Sequence, residues 1–421
     1  MTNYGGYRPA LRGFILTFAG DKSNCMIHYF NPGHETAVLN ASPYYMYPAN
    51  VAAMQHELAY LPAWYARRDD RVLVRNVVDK EYADFLSGYF GALPEAILQE
   101  ETRIMGNEEI CLWGISPQAI HLFGRMNEEY GINLSVPSWN DRFVYLNSRQ
   151  SARDCLSRLS DAIPQVSGSL LPRIYTALDE VEAAVTTCQG QLLAKAPYSS
   201  SGRGLLWLPI GGLTRTERQI LHGIVKKQGA VLVERVVDKQ IDFAMEFMCD
   251  GQGGVDFGGY SLFETNSKGA YAGNRLMGQA DIEVILTAEI GGGLMEDVKR
   301  QLMFYLSSEY APYYRGCVGV DMMLYGEGDE VSIHPCVEIN MRYNMGYLTL
   351  KLFENYIKPS AKGWFYLDFS PKEGEMYRLH QELKDKYPLI VEDGRMGSGY
   401  LPLCAVTPAS RYRAYVLIDS V

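Results

Sequence analysis

Residues 316–346 read GCVGVDMMLYGEGDEVSIHPCVEINMRYNMG, which predicts two strands joined by a polar turn. In the second strand, apolar residues alternate with Glu338, Asn340 and Arg342. Successive side chains of a strand point to opposite faces, so one face carries a carboxylate, an amide and a guanidinium in a row. Asp321 interrupts the otherwise apolar first strand. If the two strands are neighbours, Asp321, Glu338 and Asn340 converge.

Three oxygen ligands on one sheet face suit Mg²⁺, which keeps some waters and takes substrate phosphates as its other ligands. The alternative is the solvated polar side of an edge strand, which is the simpler interpretation of Glu338 alone. An unpartnered carboxylate in an apolar strand is costly, and Asp321 has such a position. The pattern therefore favours a metal site at Asp321, Glu338 and Asn340.

A second signal lies in residues 191–208, QLLAKAPYSSSGRGLLWL, where Lys195 ends an apolar strand. The loop that follows is rich in small residues that expose backbone N–H groups and hydroxyls, namely Ser199, Ser200, Ser201, Gly202 and Gly204. Such a loop can clamp a triphosphate while the lysine supplies charge. It matches neither a GxxxxGK[ST] loop nor a dinucleotide fingerprint. A surface hairpin with a lysine reaching solvent remains the alternative.

A third signal is AVLVERVVDKQIDFAMEF at residues 230–247. An apolar strand ends at Glu234 and another begins near Asp242. Backbone groups beside Glu234 could pair with an adenine edge, and Asp242 could accept from ribose hydroxyls. A carboxylate at a strand end is usually just solvated, so this signal gains weight only from its place after the lysine loop.

In this order, the lysine strand, the hinge strand, the Asp strand and Glu-x-Asn-x-Arg resemble the ATP-grasp superfamily over residues 136–350. The resemblance implies an α/β and α+β multidomain chain. A Rossmann-like pre-ATP-grasp domain would precede two grasp lobes that hold ATP and Mg²⁺. It also implies a ligase that joins a carboxylate to an amine through an acyl phosphate. A non-catalytic ATP-binding or regulatory protein is the alternative.

Within this resemblance, Lys195 corresponds to the lysine that touches the α and β phosphates, and residues 198–204 to the mobile phosphate loop. Glu234 and Val236 resemble the adenine hinge. Asp242 resembles the ribose acid, although its distance from Glu234 is one residue longer than in D-alanine ligases.

Further cations have family counterparts. Arg342 resembles the arginine that meets the acyl phosphate or the substrate carboxylate. Arg149 stands where the family usually has a lysine. An arginine at this position keeps the positive charge but changes its geometry. Lys268, Asn274 and Arg275 lie where these ligases often place a substrate-side loop, and a plain surface loop explains them equally well.

Composition and charge limit the kinds of molecule that the protein is expected to bind. The 421 residues include 39 Lys plus Arg and 49 Asp plus Glu, a net charge of −10, which argues against nucleic acid. Eight scattered cysteines without close metal-type spacing suit a reducing compartment. No run reaches the roughly 18 apolar residues of a membrane span. We therefore expect a cytoplasmic protein. The family resemblance implies small-molecule carboxylate and amine substrates, and a homodimer is left open.

The alternation of strand and helix signals predicts a mostly parallel sheet up to about residue 147, and hairpins after residue 171. Strands are predicted at 26–30, 71–78, 110–113 and 283–286, and helices at 82–90, 117–126, 298–309 and 377–386. The predicted domains are an extension at 1–25, a pre-ATP-grasp domain at 26–147, a first lobe at 148–235 and a second lobe at 236–421.

Two N-terminal segments allow more than one interpretation. Residues 13–20 (GFILTFAG) faintly resemble a signal peptide, but no Ala-x-Ala pattern follows, so an extension is expected. Asn31-Pro32-Gly33-His34-Glu35 follows the first strand, where α/β sheets bind ligands. His34 and Glu35 could contact an acceptor, although an ordinary turn is the favoured interpretation.

Overall fold

The structure is a computed structural model that describes residues 25–77, 79–199, 202, 204–267, 269–328 and 330–419. Most of the predicted extension lies outside these ranges, as do three predicted site residues, Ser200, Ser201 and Lys268. Across the described ranges, none of the helices combines the length and the apolar character that crossing a bilayer requires.

The first sheet is parallel, with strand order β3-β2-β1-β4. Its strands are β1 (Met26–Tyr29), β2 (Arg71–Leu73), β3 (Glu95–Ile97) and β4 (Glu109–Leu112). Its helices are α1 (His34–Asn40), α2 (Ala49–Glu57), α3 (Lys80–Phe90) and α4 (Pro117–Tyr130), with 3₁₀ turns at Leu61–Trp64 and Gln99–Ile104. Ser116 caps α4 by accepting from Ala119 N at 3.3 Å, ahead of Pro117 in the first turn. The prediction of a parallel α/β domain is confirmed.

A second, antiparallel sheet has the order β5-β8-β6-β7. It consists of β5 (Arg173–Tyr175), β6 (Leu192–Lys195), β7 (Leu205–Leu208) and β8 (Val231–Arg235), with α7 (Leu178–Thr187) and α8 (Arg215–Gln228). A 3₁₀ turn at Gly168–Leu170 precedes it. This small unit, which we call the first lobe, has its own apolar cluster around Val181, Leu221 and Val231.

The strand order of the third sheet is β13-β12-β9-β10-β11-β14-β17-β16-β15. These are β9 (Asp238–Asp250), β10 (Val255–Thr265), β11 (Tyr271–Leu276), β12 (Arg315–Glu327), β13 (Glu330–Asn340), β14 (Gly363–Phe369), β15 (Ile390–Glu392), β16 (Arg395–Pro402) and β17 (Tyr412–Ile418). The remaining helices are α5 (Arg142–Leu146), α6 (Arg149–Ala162), α9 (Gln279–Ile290), α10 (Gly292–Glu309), α11 (Met345–Tyr356) and α12 (Glu375–Lys386). The large antiparallel sheet places the predicted metal strands at one edge.

Two predicted strands differ from the structure. Residues 283–286 are helical, within α9, where Ile282 and Leu286 are buried four residues apart while Val284 is exposed. Short apolar runs do not distinguish strands from buried helical segments, which explains the error. The strand predicted at 71–78 ends at Leu73.

The parallel sheet and the third sheet share their cores. One apolar cluster joins Ile27 and Phe123 to Phe247 and Val320, and a second joins Trp64 to β16 and β17. Trp64 Nε1 donates to the Leu403 carbonyl at 2.8 Å. The carboxyl ends of β1 and β4 are therefore held against the metal strands, whereas the first lobe has a separate core.

Candidate nucleotide and metal site

The polar face predicted from alternation is present in the sheet, and we call it the metal face after that prediction. In the antiparallel β12–β13 pair, Asp321 lies directly opposite Glu338, and Gly319 lies opposite Asn340. Residues opposite each other project to the same face, so both carboxylates and the amide share it. Burial together with the charges of Glu338 and Glu246 raises the pKa of Asp321 well above its ordinary value. Ionisation of Asp321 is thus unfavourable here unless a cation is added to the face.

A bulge sets this geometry. Asp321 pairs with Glu338 but Met323 pairs with His334, so β13 carries extra residues around Pro335. Proline lacks the N–H that a regular ladder needs and is tolerated at bulges. The bulge re-aims the strand beside the site, as such features commonly do.

The donor set fits Mg²⁺. Two carboxylates and one amide supply hard oxygen ligands and leave coordination positions for water and phosphate. In the described part of the chain, no group of three or more His, Cys, Asp or Glu side chains is arranged to hold a metal ion. Asp321, Glu338 and Asn340 would supply three of the oxygen ligands that Mg²⁺ takes.

Lys195 and Glu234, predicted from separate signals, form one buried ion pair. Lys195 Nζ lies 2.6 Å from Glu234 Oε1, with side chains 6% and 10% exposed. Burial and the charge of Lys195 together lower the pKa of His334, on β13, to about 3. The lysine therefore stands close to the metal strand, at the interface between the first lobe and the third sheet.

Arg149 connects the phosphate loop to the metal face. It begins α6 and is 5% exposed. Its Nη2 donates to Glu338 Oε2 at 3.0 Å, and its Nη1 donates to the Ala196 carbonyl at 2.7 Å and to Ser199 Oγ. The guanidinium is thus placed between the loop and a proposed metal ligand, where a lysine would offer fewer directed donors.

The described part of the phosphate loop requires glycine at two positions. Gly202 has a φ of +73°, and a Cβ there would lie 2.7 Å from the Gly269 carbonyl oxygen. A Cβ on Gly204 would lie 2.2 Å from Ser199 Oγ. The loop therefore packs against the loop that contains Gly269.

In the predicted adenine hinge and at the predicted ribose acid, polar groups already have partners within the protein. Val236 N donates to the Gln191 carbonyl at 3.0 Å, so this donor is already used within the first lobe. Asp242 accepts from Thr265 Oγ1 at 2.8 Å and from Lys239 Nζ. A ribose hydroxyl at Asp242 would therefore join or replace an existing network.

Arg342 is held by the parallel sheet. Its Nε donates to Glu35 Oε1 at 2.7 Å and its Nη2 donates to Asn340 Oδ1 at 3.0 Å. Burial works to raise the pKa of Glu35, but His34 and Arg342 hold it well below its usual range. His34 Nε2 in turn lies 3.0 Å from Asn147 Oδ1. The favoured interpretation of this segment as an ordinary turn missed that both side chains are buried beside the site.

Two residues of the predicted substrate-side loop have structural partners instead. Asn274 is 1% exposed and its Nδ2 donates to Ser261 Oγ at 2.6 Å. Arg275 pairs with Glu264 at 3.5 Å and its guanidinium stacks over Trp364. Asn274 thus lies inside the third sheet, whereas the Arg275 side chain is 46% exposed and already pairs with Glu264 and Trp364.

Glu246 was not singled out from the sequence. It is opposite Gly319 on β9, 1% exposed, and accepts from Asn344 Nδ2 at 2.8 Å. A Cβ on Gly346 would lie 2.1 Å from its Oε1, so the carboxylate occupies space left by glycine. Burial raises its pKa to about 7. Its position in an apolar strand, AMEFMC, is the signal that could have identified it.

Comparison with known proteins gives a likeness of structure only. No protein-family model matches the chain, and no curated protein sequence matches it. N5-carboxyaminoimidazole ribonucleotide synthetase in complex with ADP is similar in structure, with 8% identity, 94% of this chain and 93% of that chain covered, and a TM-score of 0.50. Two further matches each cover 94% of this chain. The biotin carboxylase domain of the Hydrogenobacter thermophilus 2-oxoglutarate carboxylase has 12% identity, 86% of that chain covered and a TM-score of 0.48. A protein of Archaeoglobus fulgidus assigned to the ATP-grasp superfamily has 11% identity, 100% of that chain covered and a TM-score of 0.42.

The fold resemblance inferred from the sequence agrees with these observations. A parallel α/β domain precedes a small antiparallel lobe and a large sheet, and the match to the synthetase extends over nearly the whole of both chains. The chain has the ATP-grasp fold.

Proposed function

We propose that the protein is an ATP- and Mg²⁺-dependent ligase that joins a carboxylate to an amine through an acyl phosphate. The observation that carries the proposal is the meeting of Asp321, Glu338 and Asn340 with Arg149 and Arg342 on one sheet face. Lys195 stands nearby at the lobe interface. On and beside this face, oxygen ligands for Mg²⁺ lie next to positively charged side chains, which is the combination that transfer of a phosphoryl group requires.

In the proposed reaction, a carboxylate oxygen of the substrate attacks the γ-phosphorus of ATP and ADP leaves. The amine nitrogen then attacks the acyl carbon, and inorganic phosphate leaves. No enzyme nucleophile is needed, so the residues act by positioning and electrostatics. Lys195 and the loop would hold the α and β phosphates, and Arg149 would orient the γ-phosphate beside Glu338.

Asp321, Glu338 and Asn340 would hold Mg²⁺, which supplies charge neutralisation to the phosphates when bound. Arg342 would orient the substrate carboxylate. Its bond to Glu35 fixes the guanidinium plane, because two of its nitrogens already have directed acceptors in Glu35 and Asn340.

The test combines Glu338→Ala with Glu330→Ala. Glu330 is an exposed carboxylate at the far end of the same strand and serves as the matched control. Binding of a non-hydrolysable ATP analogue is measured by calorimetry with and without Mg²⁺, and ADP release across a panel of carboxylates and amines. We expect Glu338→Ala to lose ADP release and Mg²⁺-dependent binding, and Glu330→Ala to keep both. Turnover retained in Glu338→Ala would refute the metal assignment.

A non-catalytic ATP-binding protein is the second candidate. The observation that favours it is Arg149 in place of a lysine, already paired with Glu338. Mg²⁺-dependent binding of the analogue without ADP release across the panel would support this function over a ligase.

A further inference from the structure

A second cluster of reactive groups lies in the parallel sheet and shares no residue with the metal face. His28 on β1 and Cys111 on β4 are direct neighbours in the parallel register. His28 Nε2 lies 3.3 Å from Asp70 Oδ2. Asp70 is itself held in place, since it accepts from Met26 N at 3.0 Å and from Arg67 Nη2 at 2.9 Å. A thiol, an imidazole and a carboxylate therefore follow one another across the sheet.

The imidazole has one nitrogen free for the thiol. His28 is 3% exposed, and its Nδ1 is buried with no hydrogen-bond partner among the residues that the structure describes. Burial alone would lower the pKa of His28, but Cys111 and Asp70 raise it to about 9. His28 therefore holds a proton near neutral pH, and its unpartnered Nδ1 belongs to the residue that lies directly beside Cys111 in the sheet.

The thiol is also accessible. Cys111 is partly exposed, whereas five of the other described cysteines are buried. Its Sγ lies 3.5 Å from Tyr343 Oη, and Tyr343 stacks on Tyr65 with ring centroids 4.8 Å apart. Tyr343 directly follows Arg342, so the thiol borders the segment that carries the site arginine.

We propose that Cys111 is a modification site, a partly exposed thiol beside the buried His28–Asp70 pair that reacts with small hydroperoxides. The sulfur attacks one peroxide oxygen, an S–O bond forms and the O–O bond breaks. The thiol sulfur is oxidised by two electrons to a sulfenic acid. The leaving hydroxide or alkoxide takes a proton from His28 to become water or an alcohol, and the proton lost by the thiol restores His28. The added oxygen lies in the contact with Tyr343, beside Arg342.

The test measures the labelling rate of each cysteine in the intact protein. Brief exposure to iodoacetamide near neutral pH is followed by peptide mass spectrometry. Cys188, which is also partly exposed and ends α7, is the internal reference. We expect Cys111 to be labelled about tenfold faster than Cys188. We expect hydrogen peroxide to add one oxygen at Cys111 that a dithiol removes.

Variants separate this role from simple accessibility. His28→Asn should reduce the labelling of Cys111 to the rate of Cys188, and Asp70→Asn should reduce it less. His121→Asn, a histidine on α4 away from the cluster, should change nothing. Equal rates for Cys111 and Cys188 in the wild type would overturn the proposal. So would fast labelling in a folded His28→Asn protein; if that variant does not fold, the wild-type ratio and Asp70→Asn decide.

Discussion

Glu246 provides a measurable test of the electrostatics at the site. The carboxylate is 1% exposed and is opposite Gly319, two residue pairs along from Asp321. Glu246→Gln preserves the shape of the side chain and an acceptor oxygen for Asn344 Nδ2, and it removes the charge. We expect the variant to be more stable than the wild type in alkaline buffer and nearly equal to it in acid.

The size of the stability difference follows from the pKa of Glu246. Burial raises the pKa of Glu246 from an ordinary 4.5 to about 7, which corresponds to about 3 kcal/mol of free energy of unfolding. Because the folded state holds the proton more tightly, the stabilising effect is complete below about pH 4.5 and is lost as the pH rises through about 7. Above that pH the wild type carries a buried charge that the variant lacks.

The assay is thermal or urea unfolding of both proteins between pH 4.5 and 8.5, with a chelator present so that no metal contributes. The stability difference should grow between about pH 5 and 7 and then level off. Glu264→Gln, at an exposed carboxylate on β10, should show no such trend. A variant that tracks the wild type at every pH, or that is less stable at pH 8, would refute the burial argument.

Three further outcomes are expected. Lys195→Met should destabilise the protein by about 3 to 5 kcal/mol, since it leaves the Glu234 charge buried without its partner, and adding Glu234→Gln should recover part of the loss in unfolding midpoint. Glu35→Gln should lower the melting temperature at neutral pH, because the buried Arg342 loses the carboxylate that balances its charge. Since the pKa of Glu35 is held below its usual range, this difference should shrink below about pH 4. Gly363→Ala should reduce soluble yield, since its Cβ would lie 2.2 Å from a backbone carbonyl of β17 that cannot rotate away; unchanged yield and melting temperature would contradict this.

Local patterns in the sequence were sufficient for much of the site. Alternation within a strand has a period of two residues, so Glu338 and Asn340 could be placed on one face without knowledge of the fold. Lys195 at the end of an apolar run and the glycines after it are equally local signals. The parallel sheet, the hairpins and the capped start of α4 followed from the same short-range rules.

Contacts between distant segments could not be read in this way. Glu35 meets Arg342 across 307 residues, and Arg149 meets Glu338 across 189. Which strands pair, and in what register, depends on packing of the whole core rather than on the residues nearby. The same limit made residues 283–286 look like a strand, because only the packing of α9 shows which of these side chains are buried.

The sequence by itself determined which residue types share a strand face, and hence the oxygen ligands, the lysine strand and the ATP-grasp resemblance. Only the tertiary structure decided which charges meet: Glu246 in the space left by Gly346, Glu35 against Arg342, and His28 between Asp70 and Cys111. The reason is physical. Side-chain direction is set by local backbone geometry, whereas the cost of a buried charge is settled by partners that the folded chain brings from elsewhere.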